Sequence, residues 1–498
     1  MDSPLFLGFD VSTQSCKAVV VDENLNTVFS TSLNFDKDLP QYHTINGVSI
    51  KDSSGVAKSP SAMFSSALQL SIERLRRAGC PLKRIVCISG SGQQHGSVYL
   101  AATAINGLLP DDDDTDDDED LGEWQLEHGL FAMKDGPIWM DTSTSEECRQ
   151  LAHCVGGDNN LAKLTGSKAW ERFTGNQILK LRRHSPEVFD RTARICLVSS
   201  FCAGVLLGRP TRVDYSDAAG MNMMELSSLN WSRPICDFID GKSADALTTR
   251  LGGQPVDPMA IAGNISTYWQ HRYGFSPSCT VNYWSGDNPC AAVGMGLLNS
   301  GDILVSLGTS DTCLCVLPSM PVSPPPSAFI FPHPVKPGSF IAMLVYTNGD
   351  VTRRTVKGNR SWDQFSESIR ASSPGKYLTL FTSTQEILPA LQKGDPITAE
   401  IGNRDDEVSP GILERFPEGK LLVTGGGSRS EQIRQVFSDV FERSVVALDS
   451  PDAAALGAAY KAMLATAKLN GKDVIDENWY DRALQILLRR ASDFCGII

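Results

Sequence analysis

The sequence LGFDVSTQSCKAVVVD at residues 7–22 returns in weaker form as ILVSLGTSDTCLCVL at residues 303–317. Each stretch is an apolar run, a tight turn of Gly, Ser and Thr residues, and a second run rich in β-branched residues. This pattern predicts a β-hairpin with hydroxyl side chains at its tip. Aligning the two tips places Thr13 opposite Thr309. Two similar hairpins about 300 residues apart predict two domains of like fold, each opening with the same unit.

The segments around the hairpins alternate between strand and helix patterns. Residues 84–89 and 420–424 are apolar strand patterns that run into glycine turns. Helices are predicted at residues 61–78, 143–152, 194–209, 291–298 and 430–443, and the proline-rich residues 318–337 are predicted to form an irregular loop. Alternating strands and helices favour an α/β protein with mixed sheets. A length of 498 residues exceeds what one core fills, so we expect two domains, residues 1–291 and 292–498.

Composition excludes several classes of protein. Of the net charge of −13, nine charges lie in the acidic run 111–120, a solvated loop insertion at residues 110–120. The sequence has no basic patch of the kind that binds nucleic acids, so no nucleic-acid partner is expected. The most apolar stretch, residues 194–209, is too short to span a membrane. Thirteen scattered cysteines without a secretion signal indicate reduced thiols and a cytoplasmic location. The sequence leaves monomer and homodimer both open.

Three turns have the composition of phosphate-binding turns, at residues 12–15, 308–310 and 425–428. Glycines let a backbone approach a ligand closely, and hydroxyl groups donate hydrogen bonds to phosphate oxygens. Asp10 follows the first predicted strand, where its carboxylate either holds a hydrated Mg²⁺ ion against the phosphates or caps an ordinary turn. A single glycine turn usually only connects strands, but three such turns, two of them in repeated units, indicate a phosphate site.

Three further side chains have the chemistry of a polar-substrate site. Asp287, in SGDNPC before a helix of small residues, is either a base for a hydroxyl nucleophile or a helix cap. His95, in QQHG, either binds hydroxyl groups or is a satisfied structural histidine. Arg172, in WERFTG, either faces a polar ligand or forms a surface ion pair.

Taken together, these motifs resemble those of the FGGY family of carbohydrate kinases. GFDVSTQS at residues 8–15 and SLGTSD at residues 306–311 resemble the two phosphate motifs of that family. TGGGSRS at residues 424–430 resembles its adenosine motif, and DAAALGAA at residues 452–459 resembles the helix that follows. The motifs occur in the family's order. The resemblance implies two ribonuclease-H-like domains, as in actin-like ATPases, around a central cleft.

Within the family, SGQQHG at 91–96, PIWMDTS at 137–143 and GDNP at 286–289 look like the eukaryotic xylulose kinases. That resemblance implies ATP-dependent phosphorylation of D-xylulose to D-xylulose 5-phosphate in pentose metabolism. It implies a sugar site of His95, Arg172, Asn288 and Asp287, the last as general base. The adenosine end of ATP would contact Trp362, Gly426, Gly427 and Ser430. Thr13, Thr309 and Gly349 would face the phosphates, with Mg²⁺ near Asp10.

One segment departs from the family pattern. Family members carry a long helix before the adenosine motif, whereas Pro410 and Gly411 interrupt residues 405–417 here, and the interval is short by roughly one helix. Three alternatives therefore stay open. They are a kinase for another ketose or polyol such as ribulose or glycerol, a catalytically impaired sugar-binding homologue, and an actin-like or chaperone ATPase.

Overall fold

The computed structural model describes residues 3–111, 119–308, 310–346, 349–371, 419–448 and 452–471, and the backbone of residues 377–380 and 397–400. Thr309, residues 112–118 of the acidic run and the interrupted segment 405–417 lie outside the described residues. The strands are β1 Leu5–Val11, β2 Ser15–Asp22, β3 Thr27–Asn34, β4 Ile50–Lys51, β5 Ala57–Pro60, β6 Ile85–Gly92, β7 Ser97–Leu100, β8 Phe131–Met133, β9 Asp135–Pro137, β10 Arg194–Leu197, β11 Met224–Glu225, β12 Asn230–Trp231, β13 Ile261–Asn264, β14 Thr280–Asn282, β15 Ser285–Gly286, β16 Ile303–Leu307, β17 Asp311–Leu317, β18 Phe329–Pro332, β19 Phe340–Tyr346, β20 Tyr377–Leu380, β21 Ile397–Glu400, β22 Leu421–Thr424 and β23 Val445–Leu448.

The helices pack around two main sheets. They are α1 Phe35–Asp38, α2 Ser61–Arg77, α3 Leu121–Glu127, α4 Ser145–Cys154, α5 Asp158–Thr165, α6 Thr174–His184, α7 Pro186–Arg191, α8 Val198–Leu207, α9 Tyr215–Ala218, α10 Arg233–Asp240, α11 Ala244–Arg250, α12 Thr267–Tyr273, α13 Asp287–Gly294, α14 Gly349–Lys357, α15 Trp362–Arg370, α16 Glu431–Phe441 and α17 Ala453–Leu469. Among these described helices, none has the length and apolar character needed to cross a membrane.

The two main sheets share one topology. The first sheet has the order β3–β2–β1–β6–β14–β13, with β15 also paired to β6. The second sheet has the order β18–β19–β17–β16–β22–β23. In each, the opening strand runs antiparallel to its hairpin partner and parallel to the strand on its other side. The structure thus confirms the α/β class and the repeat predicted from the two hairpins.

The helix α17 packs backbone to backbone against the first sheet and against α13. A Cβ atom on Gly8 of β1 would lie 2.1 Å from the carbonyl oxygen of Ala455 in α17. A Cβ atom on Gly457 of α17 would lie 1.8 Å from the carbonyl oxygen of Cys290 in α13. Only glycine permits such approaches, because any side chain would overlap the opposing backbone. One core cluster accordingly runs from the first sheet through α13 and α17 into the second sheet.

Ion pairs fix α17 along its length to the part of the chain that surrounds the first sheet. Asp452 pairs with Lys17 at 3.1 Å, and Lys468 pairs with Asp257 at 2.8 Å. Between them, Lys461 lies 3.5 Å from Asp214, and both side chains are fully buried. The Lys461 ammonium also donates a hydrogen bond of 2.6 Å to the carbonyl oxygen of Tyr283, four residues before Asp287. The predicted domain boundary between residues 291 and 292 stays a prediction. Helix α17 follows that boundary in the sequence, and it nevertheless packs on the first sheet.

Three predicted elements differ from the observed ones. Residues 194–209 are not one helix, because Arg194–Leu197 pairs antiparallel with β7 before α8 begins. The predicted loop 318–337 contains β18, whose apolar residues add an edge strand beside β19. The helix predicted at 291–298 is α13, which begins at Asp287 and ends at Gly294.

Replacing Lys461 with methionine is expected to lower the free energy of unfolding by about 3–5 kcal/mol, because it leaves the Asp214 carboxylate buried without its cation. The additional change Asp214→Asn removes that charge, so Lys461→Met/Asp214→Asn should recover part of the loss. Urea unfolding curves of the three proteins provide the measurement. Equal stability of Lys461→Met and the unmodified protein would contradict the assigned pairing.

Candidate active site

Asp10 lies where two parallel strands end together. Strands β1 and β6 place Asp10 opposite Ser91, so both side chains reach the same edge of the first sheet. The Asp10 carboxylate accepts hydrogen bonds from the hydroxyl groups of Ser91 at 2.8 Å and Ser12 at 2.7 Å. Burial raises the pKa of Asp10 above its ordinary value of 3.8, and these two bonds oppose the rise.

The surroundings of Asp10 fit a hydrated Mg²⁺ ion better than a closed protein site. In the described ranges, no group of three or more His, Cys, Asp or Glu side chains is placed to hold a metal ion. Magnesium in phosphoryl-transfer sites keeps several waters and binds one or two carboxylates together with substrate phosphates. Asp10 supplies one carboxylate, and each of its oxygens keeps lone pairs beyond those used by Ser12 and Ser91.

Asp287 reaches the same edge from the amino-terminal end of α13. Strand β15 pairs with β6 at Ser91 and Gly92, which brings the following residue, Asp287, to the end of the first sheet. Gly286 is the N-cap of α13, and Asp287 is its first helical residue. Its Oδ1 atom accepts hydrogen bonds from Asn288, from the backbone N–H at 2.8 Å and from Nδ2 at 3.0 Å. Burial, together with the nearby charge of Asp10, raises the pKa of Asp287 to about 7.

His95 is a neutral acceptor in a cluster of polar side chains that we call the polar pocket, namely His95, Arg172, Asn288 and Asp287. Its Nδ1 atom lies 2.9 Å from the carbonyl oxygen of Gly220, which only accepts, so the proton is on Nδ1 and Nε2 is an acceptor. Its ring centroid lies 4.6 Å from that of Phe173. Burial, with a further contribution from the charge of Arg172, lowers the pKa of His95 to about 3. The imidazole is therefore neutral at physiological pH.

Arg172 and Asn288 complete this pocket. The Arg172 guanidinium carbon lies 6.0 Å from the ring centroid of Trp139, within reach of a cation–π contact. Burial lowers the pKa of Arg172, and the charge of Glu171 opposes that shift. Asn288 Nδ2 donates a hydrogen bond of 2.9 Å to Oε1 of Gln94, the residue before His95.

A separate cavity of about 830 Å³ is lined by the residues predicted to contact adenosine. Trp362, Gly426, Gly427 and Ser430 all line it. Trp362 begins α15 with 47% of its surface exposed, and Ser430 is the N-cap of α16. Gly349 lies beside the cavity at the start of α14, where a Cβ atom would be 2.2 Å from the carboxyl carbon of Asp311.

Arg353 holds the second predicted phosphate turn in place. Its Nη1 atom contacts both carboxylate oxygens of Asp311, at 2.7 and 2.5 Å, and its Nη2 donates a hydrogen bond of 2.6 Å to the carbonyl oxygen of Gly308. Arg353 and Gly308 both line the 830 Å³ cavity. A paired arginine thus fixes the residue before Thr309 at the rim of the cavity.

A smaller cavity of about 310 Å³ lies between the two sites. On one side it is lined by Asn288 at the start of α13, and on the other by Thr424 and Gly425, which directly precede the adenosine-motif glycines. Its remaining lining residues are Ala291, Ala292, Met295, Leu304, Ser306, Thr312, Leu314 and Ala453. Asn288, next to Asp287, and the two residues before the adenosine-motif glycines therefore border one space.

Sequence reasoning missed three residues of the site, Gln94, Trp139 and Arg353. Gln94 directly precedes His95 in the QQHG motif, and this position could have identified it as a site residue from the sequence. Trp139 lies in a quoted motif, but nothing in one sequence indicates that its indole N–H reaches Thr13, at 2.8 Å. Arg353 sits in an ordinary amphipathic helix, so its pairing across 42 residues with Asp311 required the fold.

Two family models match about half of this chain, and curated relatives match most of it. The model described as the N-terminal domain of the FGGY family of carbohydrate kinases matches residues 133–294, and the C-terminal domain model of that family matches residues 379–466. The chain is 37% identical to xylulose kinase of Mus musculus, over 92% of this chain and 85% of the relative. It is 38% identical to xylulose kinase 2 of Arabidopsis thaliana, over 92% of this chain and 86% of the relative.

Among solved structures, the crystal structure of xylulose kinase from Bifidobacterium adolescentis has the same fold. The TM-score is 0.71 at 18% sequence identity, with 97% of this chain and 99% of that chain covered. At that identity the likeness supports the architecture of two related sheets around a cleft.

The raised pKa of Asp287 predicts that Asp287→Asn stabilises the protein at neutral pH and above. Between the ordinary value of 3.8 and about 7, the folded state holds a proton that the unfolded state releases, so stability falls as pH rises through this window. Asparagine removes this titration while keeping the Oδ1 acceptor. The melting temperature of Asp287→Asn relative to the unmodified protein should therefore increase from about pH 4 to about pH 7 and then level off. A difference independent of pH would contradict the raised pKa.

Proposed function

The chain belongs to the FGGY family of carbohydrate kinases and is a sugar kinase, and we propose that it transfers the γ-phosphoryl group of ATP to D-xylulose, giving D-xylulose 5-phosphate and ADP. The observation that carries this proposal is the 310 Å³ cavity, which has Asn288 of the polar pocket on one side and Thr424 and Gly425 on the other. A phosphoryl group passing between two substrates needs such a shared space. The names of the curated relatives support D-xylulose as the acceptor.

The polar pocket supplies complementary groups for a ketose. The His95 Nε2 atom accepts a hydrogen bond from a sugar hydroxyl, because its Nδ1 proton is committed to Gly220. Arg172 and Asn288 supply donors to sugar oxygens. This combination of acceptor and donors suits a polyhydroxylated substrate whose oxygens both donate and accept.

Asp287 is the proposed general base. A carboxylate with a pKa of about 7 is partly ionised at neutral pH and accepts a proton more readily than an ordinary aspartate. It takes the proton of the terminal hydroxyl as that oxygen attacks the γ-phosphorus and the bond to the β-phosphate oxygen breaks. ADP leaves with the electron pair of that bond, and Asp287 later releases its proton to solvent.

ATP binds with its adenosine end in the 830 Å³ cavity, against Trp362, Gly426, Gly427 and Ser430. Its phosphates extend towards the turns of Thr13 and Thr309, whose hydroxyl groups and backbone amides donate to phosphate oxygens. Asp10 would hold a hydrated Mg²⁺ ion, which would neutralise charge on the phosphates. We also propose a cytoplasmic location, supported by free thiols at all twelve cysteines in the described part of the chain.

Substrate choice is tested with a panel of D-xylulose, D-ribulose and glycerol. D-xylulose should give the highest kcat/KM and, at saturation, the largest rise in melting temperature, because the preferred ligand binds the folded state most tightly. ADP release and thermal unfolding are measured on the same folded protein. A higher kcat/KM for D-ribulose or glycerol would replace D-xylulose as the substrate. Sugar binding without ATP binding would instead indicate a catalytically impaired homologue.

The base role predicts a pH-dependent rate and a large loss in Asp287→Ala. Protonated Asp287 cannot accept a proton, so kcat/KM should rise with pH and level off above about 7. Asp287→Ala should lower kcat by about 100-fold or more. Asp245→Ala is the matched control, because Asp245 is exposed and pairs with Arg233 away from the cleft. Near-normal turnover by folded Asp287→Ala would remove Asp287 from this role.

A further inference from the structure

Trp139 contacts both halves of the proposed site. Its indole N–H donates a hydrogen bond of 2.8 Å to the hydroxyl oxygen of Thr13, at the tip of the first hairpin. Its ring lies 6.0 Å from the guanidinium carbon of Arg172, in the sugar pocket. We propose that Trp139 is a positioning residue that couples the Thr13 phosphate turn to the sugar pocket through these two contacts. The inference rests on the proposed function, because it takes Thr13 to face ATP and Arg172 to face the sugar.

The backbone around Trp139 is fixed even though the side chain is 36% exposed. Asp141, almost fully buried, accepts a hydrogen bond of 3.1 Å from the backbone N–H of Ala57. It also accepts bonds from the backbone N–H of Ser143 at 3.0 Å and from Nε2 of Gln177 at 2.8 Å. A carboxylate with this many donors pins the turn that carries Trp139, so the indole begins from a defined position.

The hydrogen bond to Thr13 determines which way the Thr13 proton points. An indole N–H only donates, so it occupies a lone pair of the Thr13 oxygen and leaves the hydroxyl proton to donate elsewhere. The nearest protein acceptor is Oε1 of Gln93, at 3.5 Å, which is a long contact. Phosphate oxygens only accept hydrogen bonds. Trp139 thus prepares Thr13 as a donor to phosphate.

The other contact of Trp139 supports the sugar pocket. A guanidinium group over an indole face is attracted by the ring quadrupole, and such contacts contribute to affinity when the cation is partly desolvated. Burial of Arg172 is indicated by its lowered pKa. The ring holds Arg172 well only while its own orientation is fixed, and the bond to Thr13 fixes it. A substitution at Thr13 should therefore change the affinity for a sugar that contacts Arg172.

The test is the affinity for D-xylulose measured by calorimetry in the absence of ATP. Thr13→Val removes the hydrogen bond and keeps the β-branched shape, and it should weaken D-xylulose binding about 2- to 5-fold. Trp139→Phe removes the same bond and also reduces the ring that faces Arg172, so its loss should be at least as large. The double variant Thr13→Val/Trp139→Phe should bind no more weakly than Trp139→Phe alone, because both substitutions remove the same hydrogen bond. Thr13→Ser keeps the acceptor oxygen and should bind as the unmodified protein does.

The matched control is Trp124→Phe, the same chemical change on α3, where Trp124 stacks on His128 outside the cleft. It should leave D-xylulose affinity unchanged. If Trp139→Phe does not fold, Thr13→Val against Thr13→Ser decides, since Thr13 has no other predicted effect on sugar binding without ATP. Unchanged affinity in Thr13→Val, or additive losses in the double variant, would overturn the coupling. Absence of D-xylulose binding and turnover in the unmodified protein would instead overturn the proposed function.

Discussion

The site depends on one packing constraint, the direct backbone contact of α17 with β1 on one side and α13 on the other. Gly8 and Gly457 make this contact possible, since a Cβ atom at either would overlap an opposing carbonyl oxygen. The contact places the first sheet, which carries Asp10, close to the helix that begins with Asp287. It also directs the chain after β23 back across the first sheet, so that one core serves both sheets.

The buried carboxylates near the contact of α17 with β1 and α13 cost stability when they ionise, and the same property suits them to proton transfer. Burial raises the pKa of both Asp10 and Asp287, and the charge of Asp10 adds to the rise at Asp287. The nearby Lys461 instead neutralises Asp214 and holds the Tyr283 carbonyl, which keeps the strand before Asp287 in place. A carboxylate kept partly protonated at neutral pH is unfavourable when it ionises, and that property makes it a competent proton acceptor.

Local patterns predicted much of this fold, and long-range contacts account for what they missed. The two hairpins predicted the shared topology of the sheets, because an apolar run, a hydroxyl turn and a β-branched run are local properties. Residues 194–209 were misread because apolarity alone does not separate a strand–helix pair from one helix. The roles of Trp139, Arg353 and Lys461 depend on partners 126, 42 and 247 residues away, which no periodicity encodes. The assignment of Asp287 came from resemblance, and the structure adds the charge environment that suits it to base chemistry.

The central claim is that a sugar bound at Asp287 and a nucleotide bound at Gly426 and Gly427 meet at the 310 Å³ cavity lined by Asn288, Thr424 and Gly425. It is tested most directly by incubating the purified, folded protein with ATP, with and without D-xylulose, and quantifying ADP and sugar phosphate by mass spectrometry. The account predicts that one sugar monophosphate forms for each ADP released, and that ADP release is slow without the sugar. ADP release that is independent of D-xylulose, or that yields inorganic phosphate in place of a sugar phosphate, would contradict it.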